Sequence, residues 1–356
     1  MRGHLPDSKH PDSYQRILVR ATNWIGDAVM SLPALRALRE RFPQARITLL
    51  AMPWVADLYG REPFCDELIP WRAQRGPRDL AEKWRLGRSL AHHRFDLAII
   101  LPNSFDSALP AWLARIPRRI GFQRDARGWL LTDRIPRILP GETPPHQSFH
   151  YLELLRRAGL IDTLPTEVII RLDGAKEARL QGRERLGEGC IIGVCPGAAF
   201  GGAKRWAPEN FAQAAREVAA QHNARILLFG SKDEVAICDQ VNHHLEGQAQ
   251  SFAGQTTLGQ FVELLAACDL VLTNDSGPMH VASALGVPTV AIFGSTSHHA
   301  TGPTGPLSRV IREPVPCSPC FERECPLTDP TAHLACLRLV TPGRVAHEAL
   351  QLLSEH

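Results

Sequence analysis

The chain has 356 residues, 44% hydrophobic and 22% charged, with a formal net charge of +3, the profile of a soluble globular protein long enough for two α/β domains. No apolar run reaches the roughly 18 residues that cross a bilayer, and the opening stretch MRGHLPDSKHPDSYQ is polar, so we expect neither signal peptide nor membrane anchor, and a cytoplasmic protein. Residues 1–160 hold 25 Lys and Arg against 16 Asp and Glu, a net +9, whereas residues 161–356 hold 15 against 21, a net −6; the basic half suits an anionic macromolecule or a membrane surface, and without a nucleic-acid motif or an aromatic stacking pattern we expect no nucleic acid.

Residues 1 to about 14 read as a disordered lead-in. A first strand, RILVR at 16–20, runs into Ala21-Thr22-Asn23-Trp24-Ile25-Gly26-Asp27 and then a helix from about 28 to 42, with apolar residues at Val29, Leu32, Leu35 and Leu38. Strands follow at 47–51, 67–70 and 97–101, with a helix at 79–92, and the last of these strands ends in Pro102-Asn103-Ser104. Such alternation predicts a parallel, right-handed wound sheet. Residues 116–122 and 130–138 carry a dense set of arginines and read as loops or edge strands. After the breaker cluster at 139–145 comes a helix at 148–158. Residues 166–172 and a polar helix ending before Gly187 lead into a second alternating series: strands at 190–195, 225–229, 270–272 and 289–293, and helices at 208–221, 233–244 and 258–267. Two doubly wound domains are expected, 15–170 and 171–345, with 346–356 as a C-terminal helix end.

The stretch DLVLTNDSGPMHVASALGVPTVAIFG, 269–294, reads strand, polar turn, helix, strand. Pro278 suits a first helical turn, Ser276 or Gly277 can cap it, and Gly286 with Pro288 closes it. A unit of this kind brings a helix N-terminus to the carboxyl end of a strand, where open α/β sheets bind ligands and free N–H groups favour anions. The bland alternative is that Asp275 and Ser276 only cap. The same two readings apply to Asp27: a carboxylate at the mouth of the N-terminal sheet, free to act as a general base, or a cap. The loop PGAAFGGAKRW at 196–206 combines small residues that let backbone approach a ligand with Lys204, positioned to neutralise a phosphate. Gly230-Ser231-Lys232-Asp233-Glu234 follows another strand, where a carboxylate can take a ribose diol or cap a helix. Cys317, Cys320, Cys325 and Cys336 fall in a CxxC-x4-C-x10-C pattern that reads either as a structural zinc site or as free thiols.

Taken together, TNWIGDAVM at 22–30, LPNSF at 101–105, CPGA running to AKRW at 195–206, and TNDSGPMHVA at 273–282 resemble the lipopolysaccharide heptosyltransferases of glycosyltransferase family 9, in matching order over about 16–350. The likeness is nearest to the members that add the second heptose. The resemblance implies a GT-B fold, α/β with two Rossmann-like domains facing across a cleft, and inverting transfer of heptose from ADP-heptose to the first heptose on Kdo-lipid A at the inner face of the cytoplasmic membrane. It implies Asp27 as the general base, Lys204 on the donor phosphate, Glu234 on the ribose, Asp275 on heptose hydroxyls, and Ser276, Gly277 and His280 around the diphosphate, with no metal required for catalysis. On the acceptor side the candidates are Asn103, Ser104, Arg118, Arg119, Arg124 and Arg127. Another core heptosyltransferase, or a nucleotide- or metal-responsive binding protein built on the cysteines, are the alternatives.

Overall fold

The computed structural model describes residues 14–72 and 77–355; the expected lead-in lies, up to residue 13, outside them. The chain divides into two compact units, residues 1–168 and 169–356. In the first unit the elements run β1 (Arg16–Arg20), α1 (Ile25–Arg41), β2 (Arg46–Ala51), α2 (Pro53–Tyr59), β3 (Glu67–Pro70), α3 (Pro77–His92), β4 (Leu97–Ile100), α4 (Phe105–Leu113), β5 (Arg118–Phe122), β6 (Asp133–Ile135) and α5 (Gln147–Arg157). The second begins with α6 (Ala175–Leu186), β7 (Ile191–Cys195), α7 (Pro208–His222), β8 (Arg225–Leu228), α8 (Val235–His244), β9 (Gln250–Ser251) and α9 (Leu258–Ala266). It continues with β10 (Leu270–Asn274), α10 (Gly277–Ala284), β11 (Thr289–Phe293), α11 (His298–Thr301), β12 (Ser308–Arg312), α12 (Ala335–Arg338) and α13 (Pro342–Ser354).

Each unit is one six-stranded sheet, in the orders β3-β2-β1-β4-β5-β6 and β12-β11-β10-β7-β8-β9, and every strand pair is parallel. Counted from its own first strand, the second sheet repeats the order of the first: both are doubly wound Rossmann-like sheets. The sequence explains why. The central strands β4, β7, β10 and β11 are buried along their whole length, which requires helices on both faces. In the second unit Ile192, Val194, Leu270, Leu272, Val290 and Ile292 pack with Phe211, Ala215 and Val218 of α7 and Val345, Ala349 and Leu352 of α13. In the first, Leu18, Leu50, Ala98 and Ile100 meet Leu90 of α3 and Ala108 and Ala111 of α4. Truncating one such leucine to alanine costs about 2–5 kcal/mol.

The arginine-rich stretch resolves into β5, a 3₁₀ turn at Arg127–Leu130 and the edge strand β6. Two further edge strands, β9 and β12, lie outside the strands expected from sequence: β9 has only Gln250 and Ser251, and β12 is the short run SRVIR. Among the described residues no helix is long and apolar enough to cross a membrane.

Candidate functional site

In a doubly wound sheet the ligand crevice opens at the carboxyl ends of the two strands that flank the first crossover. Those pairs are β1 with β4 and β7 with β10. The segments that follow these four strands hold Asp27, in the first turn of α1, Asn103 with Ser104, Lys204, and Asp275 with Ser276. Connectivity alone therefore selects the motifs singled out by their chemistry.

In the first unit, α1 begins after Trp24, which occupies the N-cap position with no side-chain hydrogen bond. Asp27 is the third residue of the helix and is not its cap. Its Oδ1 accepts a hydrogen bond of 3.1 Å from the Tyr151 hydroxyl of α5, the helix that packs along α1. Tyr151 is buried, and desolvation, with the Asp27 charge second, pushes its phenol well above the ordinary tyrosine range; it stays a neutral donor. Tyr59 behaves alike: burial raises it, and its hydroxyl lies 3.1 Å from Thr22 Oγ1 and 3.2 Å from Ser31 Oγ. Beside this turn Arg20 is buried. Its Nη2 donates to Asn23 Oδ1 at 2.7 Å, its Nε has no partner, and desolvation lowers it to about 10.

The structure divides the acceptor-side arginines. Arg118 and Arg119 open β5, so they stand at the amino end of the parallel sheet, opposite the crevice. Arg118 is committed to Asp133 at 2.7 Å, Tyr14 Oη at 2.8 Å and Ala158 O at 2.9 Å, and Arg119 donates to the carbonyls of Leu130 and Ile116. Both are corrected to structural roles. Arg127 is corrected too: it is fully buried, and its guanidinium donates to Pro102 O, Ser107 Oγ at 3.0 Å, Phe122 O at 3.0 Å and Asn103 Oδ1 at 3.4 Å. Burial pulls it down to about 10. It braces the turn after β4 from beneath and offers nothing to a ligand. Arg124 is exposed just past the carboxyl end of β5. Asn103 is half-buried and Ser104, the N-cap residue of α4, is exposed, both just past the carboxyl end of β4. Near Arg124 is His150, whose Nε2 is buried without a partner; desolvation, and secondarily the Arg124 charge, lower it to about 4.

In the second unit Asp275 is buried and paired with Lys204 Nζ at 2.6 Å. Its carboxylate also accepts from Thr296 Oγ1 and, at 3.5 Å, from Thr301 Oγ1. Lys204 ends a 3₁₀ turn, Gly202–Lys204, and its Nζ lies 4.9 Å from the Phe200 ring centroid. The loop is bolted to β10 by Asn274, which donates to Pro196 O at 2.7 Å and accepts from Trp206 N at 3.0 Å. Ser276 is the N-cap residue of α10 but makes no capping hydrogen bond; its hydroxyl turns back to Asn274 O at 3.3 Å. The first N–H groups of α10, from Gly277 on, are therefore not covered by a cap side chain. His280, one turn in, is buried. Glu234 does cap: its Oε2 accepts from Ser231 N at 2.8 Å in a reciprocal capping box. The same carboxylate lies against the turn after β7, where a Cβ on Gly197 would fall 2.1 Å from Glu234 Oε1. Any larger residue at 197 would have to push the Glu234 carboxylate aside.

Cys317, Cys320, Cys325 and Cys336 line one cavity of about 50 Å³ with Ala203 and Ser295. Burial, and then the other three cysteines, push the Cys336 thiol up to about 11. Among the described residues no group of three or more His, Cys, Asp or Glu is arranged to hold a metal ion. The segment has a visible mechanical role: Arg323 O accepts from Ala203 N at 2.9 Å and Glu324 Oε1 from Gly202 N at 2.9 Å, clamping the lysine loop. Of the other cysteines, Cys195, Cys238 and Cys268 are core residues and Cys65 and Cys190 are half-buried.

Sequence reasoning missed Tyr151, Asn274, Thr296 and Arg20. Thr296 had a signal, since Gly294-Ser295-Thr296 is another strand-end turn beside β10; Tyr151 had none, being one aromatic in an amphipathic helix.

Residues 83–330 match glycosyltransferase family 9 (heptosyltransferase). Lipopolysaccharide heptosyltransferase 2 of Escherichia coli (strain K12) is 38% identical over 308 residues, 83% of this chain and 88% of that one. Lipooligosaccharide heptosyltransferase 2 of Haemophilus ducreyi is 34% identical over 312 residues, with the same coverage of 83% and 88%. Among solved structures, E. coli ADP-heptose lps heptosyltransferase II matches with a TM-score of 0.81 at 34% identity, covering 96% of this chain and 99% of that one. E. coli heptosyltransferase WaaC with ADP, 18% identical, shares the fold with a TM-score of 0.70, covering 95% and 100%.

Proposed function

The chain belongs to glycosyltransferase family 9, the heptosyltransferases, and from that premise we propose that it acts as a heptosyltransferase II. It moves L-glycero-D-manno-heptose from ADP-heptose to the first heptose of the lipopolysaccharide inner core, with inversion at the anomeric carbon. The observation that carries the reading is the Lys204–Asp275 pair, 2.6 Å apart at the carboxyl end of β10 beside an α10 N-terminus that no cap side chain covers; past the inner strand β1 of the first unit stands Asp27, to which the Tyr151 phenol donates at 3.1 Å. In this reading Asp27 takes the proton of the acceptor hydroxyl as that oxygen bonds to the anomeric carbon, and the bond from that carbon to the ADP oxygen breaks. Lys204 and the uncapped N-terminus of α10, with Ser276, Gly277 and His280 around it, stabilise the charge that develops on the leaving diphosphate. Glu234 holds the ribose diol and Asp275 orients Lys204 and meets heptose hydroxyls. Asn103, Ser104 and Arg124 meet the acceptor.

This chemistry needs no metal from the protein. Structural zinc at Cys317, Cys320, Cys325 and Cys336 is a separate proposal. Four thiols on one cavity are the donor set a soft divalent ion takes, but as placed they would have to converge to hold it. Metal analysis of protein purified under reducing conditions decides: absence of stoichiometric zinc removes the site. The acceptor's lipid anchor places the enzyme at the cytoplasmic face of the inner membrane. The function is tested by label transfer from ADP-heptose to Kdo-lipid A carrying one heptose. Turnover only on the heptose-free acceptor would make it the first transferase of the core, and no turnover on either, with ADP bound tightly, would make it a binding protein.

A further inference from the structure

Five of the seven tryptophans, Trp24, Trp54, Trp84, Trp112 and Trp129, are exposed, and all five lie in the first unit. In the second unit Trp206 is buried, and the exposed large apolar residues are aliphatic apart from Phe321. Tryptophan left in water has no gain from burial; it is favoured where an apolar body and a polar edge meet two phases at once, as at a membrane interface.

Three rings form one cluster. Trp129, in the 3₁₀ turn after β5, lies 5.7 Å from Phe105 at the start of α4 and 5.5 Å from Trp112 in its last turn. Trp129 is 55% exposed and Trp112 39%, while Phe105 and Leu113 root the cluster on the core formed by Leu130 and Leu131. The neighbouring helix α3 closes onto α4 where a Cβ on Gly87 would fall 2.4 Å from Leu113 Cβ. Along it Leu80, Trp84 and Arg88 repeat at every fourth residue as an exposed stripe, with the Arg88 guanidinium 4.8 Å from the Trp84 ring centroid.

The charges around these rings are cationic. Arg115 is exposed just beyond α4, and Arg134 is exposed with its Cδ 3.8 Å from the Cβ position of Gly128, next to Trp129. The carboxylates of the same segments are mostly spent: Asp79 and Asp106 are paired with Lys83, Glu82 with Arg85 and Asp133 with Arg118, which leaves Asp125. We infer that Phe105, Trp112 and Trp129, with Arg88, Arg115 and Arg134, are the surface by which the first unit docks on an anionic phospholipid bilayer, the rings at headgroup depth and the guanidinium groups on the phosphates. This gives a place on the molecule to the membrane-surface part of the proposed function, yet it stands or falls on lipid binding alone.

The test is co-flotation of the full chain with acceptor-free vesicles of phosphatidylcholine mixed with phosphatidylglycerol, and with phosphatidylcholine alone. The protein is expected to float with the anionic vesicles at low salt, to lose them as salt screens the arginines, and to remain unbound to the neutral ones. The double variants Trp112→Ala/Trp129→Ala and Arg115→Glu/Arg134→Glu should each lower partitioning by about tenfold, with unchanged melting temperature because all four side chains are exposed. Failure of the parent protein to float, equal binding to both vesicle types, or undiminished binding of both variants overturns the inference. Vesicle binding without heptosyl transfer would keep the docking surface and remove the functional reading instead.

Discussion

The two units share a strand order and place an aspartate just past the carboxyl end of an inner strand, Asp27 in the first turn of α1 and Asp275 in the turn before α10, and they give it different partners. Asp27 is half-buried and bonded by a phenol that burial keeps neutral. Asp275 is buried and cancelled by Lys204, with two threonine hydroxyls on the same carboxylate. A buried carboxylate paired with a cation fixes where that cation stands, and Lys204 is fixed in this way; the phenol donated to Asp27 instead helps fix where that carboxylate stands. Topology selects the position, and the side chains around it differ between the two units.

The largest effect should come from breaking the first half of that contrast. Asp27→Asn is expected to lower kcat by about 10²–10⁴-fold with ADP-heptose affinity unchanged, read by single-turnover kinetics and donor titration; a variant within tenfold of the parent would remove Asp27 as the base. Next, Lys204→Met should raise the donor KM and, by leaving Asp275 buried without its cation, cost about 3–5 kcal/mol of stability, measured by denaturant unfolding. Adding Asp275→Asn should return most of the stability and none of the donor affinity. Recovery of both would mean that the lysine serves the fold alone.

A third prediction concerns pH. His150 is lowered from 6.5 to about 4, so between those values the unfolded chain binds a proton that the folded chain refuses. Stability should therefore fall as pH drops through that window, by up to about 3 kcal/mol from this one group. His150→Gln should flatten that part of the curve, and an unchanged slope would show that the imidazole is solvated. The smallest effect sharpens the comparison: Tyr151→Phe removes one hydrogen bond to a carboxylate, worth about 1.5 kcal/mol at the low end for a charged acceptor. Because the phenol favours the charged form, its loss should move the acid limb of the kcat profile to higher pH with donor KM unchanged; a fall in kcat with no movement of that limb would mark Tyr151 as packing only.

Most of the architecture was legible because its cause is local. Apolar runs such as Leu97–Ile100 and Thr289–Phe293, broken by glycine and polar turns, can only be strands buried on both faces, and the helices between them leave one topology. The turns holding Asp27 and Asp275 were legible for the same reason. What failed was end and depth. Arg118, Arg119, Arg124 and Arg127 look equivalent as letters, yet two stand at the amino end of β5, one is buried beneath a turn, and one faces outward, because a strand boundary falls between Pro117 and Arg118 and a 3₁₀ turn folds Arg127 inward. Tyr151 was invisible because its partner lies 124 residues away.

The clamp on the lysine loop bears on when this protein becomes competent during synthesis. The inner strands β7 and β10 and the lysine itself are all made by residue 275, but Ala203 is held by Arg323, Gly202 by Glu324, and the Trp206 indole by Val340 O at 3.1 Å. A nascent chain therefore carries the complete set of donor-side side chains, through His280, for some 43 to 60 residues of further translation before the backbone that fixes them has been made. A segment made well after an early loop is the one that sets that loop's geometry.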